Sequence, residues 1–285
     1  MRNPLKFRGG GAPSANLRFL RVATTRDPLM LNLRFGVPLA STNPLKFGIR
    51  RGRWGRARAG ACETRPVALL IEGRALWLAD TNCYVVAAER GGPCVIIDAP
   101  PDIAGIEALV SSHALIPAAL LTTHGHVDHA GGGAVATGYG VGAYLHPDDE
   151  FLALDPGSQL RMLFGAVAAE QAAAFDFPAG YQPLAAGDRI ELAGLTIDVM
   201  HTPGHTPGHC CFHLADAGVL FTGDQLFAGS IGRTDLPGGD LATLIGSMHQ
   251  VLALDDATRV LPGHGPETSV RQERLTNPFR HLWAG

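Results

Sequence analysis

Hydrophobic positions along the chain fall into two regimes that meet near Pro66. Beyond it, short apolar runs recur at Val67–Ile71, Cys83–Ala88 and Cys94–Ile97, separated by turn signals such as Gly91-Gly92-Pro93. Runs of four to six apolar residues between turns read as short buried strands. Ile103–His113 carries a helical pattern, and Ala118–Thr122 is another apolar strand. Two Ala-rich stretches, Pro147–Leu154 and Ser158–Phe175, predict helices. Strands are expected again over Arg189–Leu192, Leu195–Met200, Cys210–Leu214 and Val219–Thr222. Asp240–Leu254 is read as a helix with Asp240 at its N-cap. Strands, an αβ alternation, further strands and a last αβ unit predict an α/β fold of two mixed sheets with helices outside.

Composition sharpens the boundary. Of 285 residues 46% are hydrophobic and 17% charged, with 36 glycines and 20 prolines, which suits a loop-rich enzyme better than a helical bundle or a disordered chain. Residues 1–62 hold 13 of the 23 Lys/Arg and a single acid, Asp27, whereas the remainder carries 10 basic against 25 acidic residues. Asn3-Pro4-Leu5-Lys6-Phe7 returns as Asn43-Pro44-Leu45-Lys46-Phe47. Such a segment could be an Arg-rich targeting peptide, a basic arm for nucleic acid or anionic membrane, or disordered, non-native sequence upstream of the true start. The last reading is adopted: residues 1–65 are set apart, and residues 66–285 form the folded domain. Five cysteines without CxxC spacing read as reduced thiols and point to the cytoplasm, or to an organelle if residues 1–65 are a transit peptide. No run of about 18 apolar residues exists, so no membrane partner is expected, nor is a nucleic-acid partner.

Chemistry concentrates in four segments. The strongest is Thr122-Thr123-His124-Gly125-His126-Val127-Asp128-His129, directly after an apolar strand. In extended geometry His124 and His126 project to one side, and Asp128 and His129 follow on a first helical turn. Gly125 lets the backbone pass close to whatever the imidazoles grip. A lone histidine would pass as an ordinary surface residue; HxHxDH on one loop is a metal-ligand set. Met200-His201-Thr202-Pro203-Gly204-His205-Thr206-Pro207-Gly208-His209, Thr222-Gly223-Asp224 and Pro262-Gly263-His264-Gly265 each add His or Asp on a Pro/Gly-stiffened turn.

These motifs, in this order, resemble the metallo-β-lactamase superfamily, and within it the short bacterial glyoxalase II-like (hydroxyacylglutathione hydrolase) branch, from about Pro66 to His281. The resemblance implies an αββα sandwich. It implies one metal on His124, His126 and His205, a second on Asp128, His129 and His264, and Asp224 bridging the two. Two divalent ions are expected, zinc first, with iron or manganese as alternatives. His201 and His209 are expected to support the site rather than ligate, while His113, His146, His213, His249 and His281 lack a ligand context.

Paired divalent ions lower the pKa of coordinated water from 15.7 to around 7 and polarise a substrate oxygen. Hydrolysis by metal-bound hydroxide is the expected chemistry, with Asp128 and Asp224 as catalytic ligands; no G-x-S-x-G elbow offers a serine nucleophile. The stretch Gly232-Arg233-Thr234-Asp235 resembles glyoxalase II-like enzymes and implies a small-molecule S-2-hydroxyacyl thioester substrate, with Arg233 against the thiol part. Arg233 could equally form a structural ion pair with Asp235. The chain ends 21 residues after His264, which leaves no room for the helical domain that long glyoxalase II proteins use for glutathione, so weak glutathione affinity is expected. The rival reading is a mononuclear iron persulfide dioxygenase of the same fold, which typically has Cys where His209 stands. Metal storage or nucleic-acid adaptation, without catalysis, is the third.

Overall fold

A computed structural model describes residues 50–51, 69–165, 175 and 177–283 of the chain. Its architecture is two facing sheets, each with helices on the outer side. The first sheet runs in sequence order through β2 (Leu70–Leu76), β3 (Thr81–Ala87), β4 (Pro93–Ile97), β5 (Ile116–Leu121), β6 (Gly142–Leu145) and β7 (Tyr181–Pro183). β2 to β4 pair antiparallel and β4 to β7 parallel. The second sheet is ordered β1 (Arg50–Arg51), β8 (Asp188–Leu192), β9 (Leu195–His201), β10 (Cys210–Leu214), β11 (Val219–Gly223), β14 (Arg259–Pro262) and β15 (Thr268–Ser269). A small ribbon, β12 (Leu226–Phe227) with β13 (Ser230–Ile231), follows β11.

The uninterrupted apolar runs make sense as strands covered on both faces, because successive side chains point opposite ways. Val86, Val95, Ile97 and Leu121 face inward against Ile197, Val199, Phe212 and Phe221 of the second sheet. Their neighbours Val85, Ile96 and Leu120 face outward onto α1 (Ile103–Ser112) and α3 (Ala134–Tyr139). Leu220, Val260 and Cys211 cover α6 (Leu241–Leu252) and α7 (Val270–Thr276) on the other side. Asp240 caps α6 as expected, its carboxylate accepting from the Thr243 amide at 2.7 Å.

Several boundaries shift for physical reasons. β2 runs on through Glu72-Gly73-Arg74 to Leu76, because pairing with β3 overrides the low strand propensity of those residues. Residues 147–154 are a 3-10 turn followed by α4 (Glu150–Ala153), since Pro147 sets a first turn that the short segment does not extend. The helix expected over 158–175 appears as α5 (Pro156–Phe164), capped by Asp155; residues 166–174 lie outside the described residues. β6, β7, α3 and α7 were not expected, being short or built of small and polar residues.

Four cysteines, Cys83, Cys94, Cys210 and Cys211, are free and buried; Cys62 lies outside the described residues. Among the described residues no helix is long and apolar enough to cross a membrane. The segment set apart at 1–65 is described only at Arg50–Arg51, which pairs with Arg189 and Asp188 at a sheet edge. A chain beginning near Ala61 loses this edge pairing but is expected to keep the melting temperature and turnover of the full chain, because composition changes near Pro66 and every expected site residue lies at or beyond His124. Aggregation or metal loss on truncation would place residues 1–65 in the folded body.

Candidate metal centre

The four motif segments all leave strands at the same end of the sandwich. β5 ends at Leu121, and a short loop, 122–126, leads through an extended His126 into α2 (Val127–Ala130), which carries Asp128 and His129. The turn between β9 and β10 presents His205; Asp224 follows β11 and His264 follows β14. The sheets are stitched beneath the site: the Asn82 amide donates to Gly263 O at 2.7 Å, and the Tyr84 hydroxyl to Pro262 O at 2.8 Å. A Cβ at Gly263 would press on Asp224 Oδ1 and His129 Cε1, so a side chain there would displace two residues of the cluster. Gly125 serves differently from expectation. Its missing Cβ makes room for the backbone of Asp149 and the Leu152 side chain, not for a ligand.

His126 Nδ1 stands 3.1 Å from His124 Nε2 and 2.9 Å from His205 Nε2. Beside this trio, His264 Nε2 lies 3.1 Å from Asp128 Oδ2 and 3.3 Å from His129 Nε2. Asp224 sits between, with Oδ1 3.3 Å from His129 Nε2 and Oδ2 3.6 Å from both His205 Nε2 and His264 Nε2. All seven sequence-predicted residues are thus brought together, and His124, His129 and His205 are almost wholly buried.

The outward ring nitrogens define the tautomers. His205 Nδ1 donates to Arg233 O at 2.7 Å and His264 Nδ1 to Ala79 O at 3.1 Å. His129 Nδ1 donates to Asp98 Oδ2 at 2.8 Å. The Thr123 hydroxyl donates to Asp98 and so accepts from His124 Nδ1 at 3.0 Å. With each outer nitrogen donating outward, the inner Nε2 of these four rings is the atom turned into the cluster, the one that binds a metal ion when the ring is neutral.

Asp98 and Asp149 do work that motif reading missed. Asp98 accepts from the Thr123 amide at 2.7 Å, from the Thr123 hydroxyl and from His129, and so orients two rings at once. Its backbone is left-handed, φ 59°. The available signal was an acid closing a wholly apolar strand. Asp149 accepts from the Gly125 and Gly208 amides at 2.9 and 2.6 Å and from the Thr206 hydroxyl at 2.6 Å, tying the His124 loop to the His205 turn. His209 accepts the Asp224 amide at 3.1 Å and pairs with Thr202, a supporting role as expected. His201 donates to Pro207 O and stacks on His146 at 4.1 Å, away from the cluster.

The donor set fits divalent cations. Burial, together with the neighbouring histidines, drives His124 well below the usual imidazole range and His126 down to about 3, so both rings are neutral. Burial would also lower His129, but Asp128, Asp224 and Asp98 outweigh it and raise it. Asp128 and Asp224 are held well below the carboxylate range against the opposing effect of burial, by His129 and its neighbours. Among the described residues the only basic side chains within ion-pair reach of Asp98, Asp128 and Asp224 are histidines. Asp224 Oδ1 is buried without a hydrogen-bond partner. Clustered buried anions need cations beside them, and imidazole with carboxylate is the donor chemistry of zinc and iron.

The cluster floors a pocket of about 560 Å³, and Arg233 lies on its wall. The guanidinium grips Asp235 through two 2.7 Å bonds, and its backbone oxygen orients His205, a role no motif announced.

A family model described as the metallo-beta-lactamase superfamily matches residues 77–264. The chain belongs to this superfamily, whose members are usually hydrolases, and fold and His/Asp clusters together indicate divalent-metal binding. It is 38% identical over 169 residues to hydroxyacylglutathione hydrolase GloC of Haemophilus influenzae, covering 56% of this chain and 74% of that protein. The solved structure of BLEG-1, described as a B3 metallo-beta-lactamase, is similar at TM-score 0.67 and 32% identity, over 76% of this chain and all of that one. TTHA1623 in a di-iron-bound form is similar at TM-score 0.58 and 38% identity, over 73% and 99%.

Proposed function

We propose that the protein is a dinuclear metal-dependent thioester hydrolase of the glyoxalase II kind, with S-2-hydroxyacyl thioesters as substrates. The observation that carries this reading is the convergence of two ligand trios on one carboxylate, Asp224, at the floor of an open pocket. His124, His126 and His205 would hold one ion, Asp128, His129 and His264 the other. Ions held there supply activated water at neutral pH and polarise the scissile carbonyl.

The chain's own residues direct the rest. The Thr81 hydroxyl donates to Asp128 Oδ2 at 3.0 Å and fixes the carboxylate that orients the attacking water. A departing thiolate, with a thiol pKa of about 8.5, needs no strong acid, whereas an amide nitrogen must be protonated as it leaves. Outside the proposed ligands, Arg233 is the one titratable side chain on the described lining, and a guanidinium does not give up its proton. This favours thioesters over β-lactams.

The test is turnover of S-lactoylglutathione and its analogues on other small thiols by metal-loaded enzyme. Arg233→Ala is expected to raise KM up to about fivefold, with a smaller change in kcat, since an exposed ion-paired cation contributes about 1 kcal/mol or less. Oxygen uptake on glutathione persulfide without thioester cleavage would transfer the assignment to the mononuclear iron dioxygenase reading.

A further inference from the structure

Resting on the thioester reading, we infer that the site selects uncharged thioesters with an apolar acyl group over glutathione-type esters. Above the ligands the pocket is walled by Trp77, Val127, Leu163, Phe227, Ile231 and Leu236. Leu163 leaves 40% of its surface open to solvent. Trp77 takes a left-handed backbone, φ 63°, a conformation costly for a bulky residue. The indole is steadied there by Phe175, edge to face at 6.3 Å. These surfaces gain by burying hydrocarbon, and each methylene taken from water is worth about fourfold in affinity.

Charge points the same way. A glutathione carrier brings two carboxylates and one ammonium, and needs cations to receive them. On the described lining the cation is Arg233, whose guanidinium is already matched by Asp235 at 2.7 Å on both arms.

The experiment compares 2-hydroxypropanoyl and 2-hydroxyhexanoyl esters of the neutral thiol N-acetylcysteamine with S-lactoylglutathione, on metal-loaded full-length enzyme. The hexanoyl ester, with three more methylenes, is expected to exceed the propanoyl ester more than about tenfold in kcat/KM. S-lactoylglutathione is expected to be no better than the propanoyl ester. Leu163→Asp, at a partly exposed position that tolerates change, is expected to erase the chain-length preference. Calorimetry adds a readout independent of turnover: S-hexyl-N-acetylcysteamine, a thioether that cannot be hydrolysed, should bind about tenfold or more tighter than the S-propyl compound. Flat chain-length dependence in binding, preference for the glutathione ester, or a preference that survives Leu163→Asp overturns the inference. Failure to cleave any thioester would overturn the proposed function instead, and the calorimetric comparison would still decide the character of the pocket.

Discussion

Elemental analysis of the purified chain is expected to return close to two divalent ions per molecule, and Asp224→Ala is expected to lower occupancy and activity together. Asp224 lies within 3.6 Å of inner nitrogens on His129, His205 and His264, so its carboxylate neutralises both halves of the centre. Without it Asp128 would be the one carboxylate left among the proposed ligands to offset two dications, whose mutual repulsion in a buried site would be severe. The expected fall in kcat/KM exceeds about a hundredfold, roughly 2.7 kcal/mol of transition-state stabilisation. Inductively coupled plasma mass spectrometry on both proteins checks it. One tightly bound iron in the wild-type chain, with no second ion at any loading, would reject the dinuclear arrangement.

Asp98→Ala is expected to weaken metal binding or turnover by about 10- to 100-fold, although Asp98 reaches no substrate. The substitution strands three buried donors, the Thr123 amide, the Thr123 hydroxyl and His129 Nδ1. It also frees His129 to take the wrong tautomer and loosens His124, which leans on Thr123. Stranding a buried donor costs about 1–3 kcal/mol, so melting of the metal-free protein should fall as well. Competition against a chromogenic chelator separates the two effects. Wild-type metal affinity in a destabilised Asp98→Ala chain would reduce Asp98 to a folding role.

Much of this was legible before any coordinates. The apolar runs at 83–88 and 94–97 are strands because they are too short and too continuous for anything but a doubly covered sheet. HxHxDH was legible because ligands two residues apart on an extended loop share a side whatever the rest of the chain does. Asp240 declared its helix because capping is local. Such features depend on neighbours within a few residues.

The remainder depends on residues far apart in sequence. Asp149 looks like any loop acid and Asp98 is marked only by closing an apolar strand; their roles exist only because Thr123, His129, Gly125 and Gly208 fold around them. Arg233 was left open between substrate and Asp235; the fold gives its side chain to Asp235 and its carbonyl to His205, 28 residues away. Gly263 reads as a turn residue, yet it is packed between Asp224 and His129. The sequence by itself determined which residues could bind metal and where the longer apolar strands lie, because residue chemistry and strand periodicity are local properties. Tertiary structure alone decided which nitrogen of each ring faces inward and what walls the pocket, because both are set by side chains that meet only when the two sheets close.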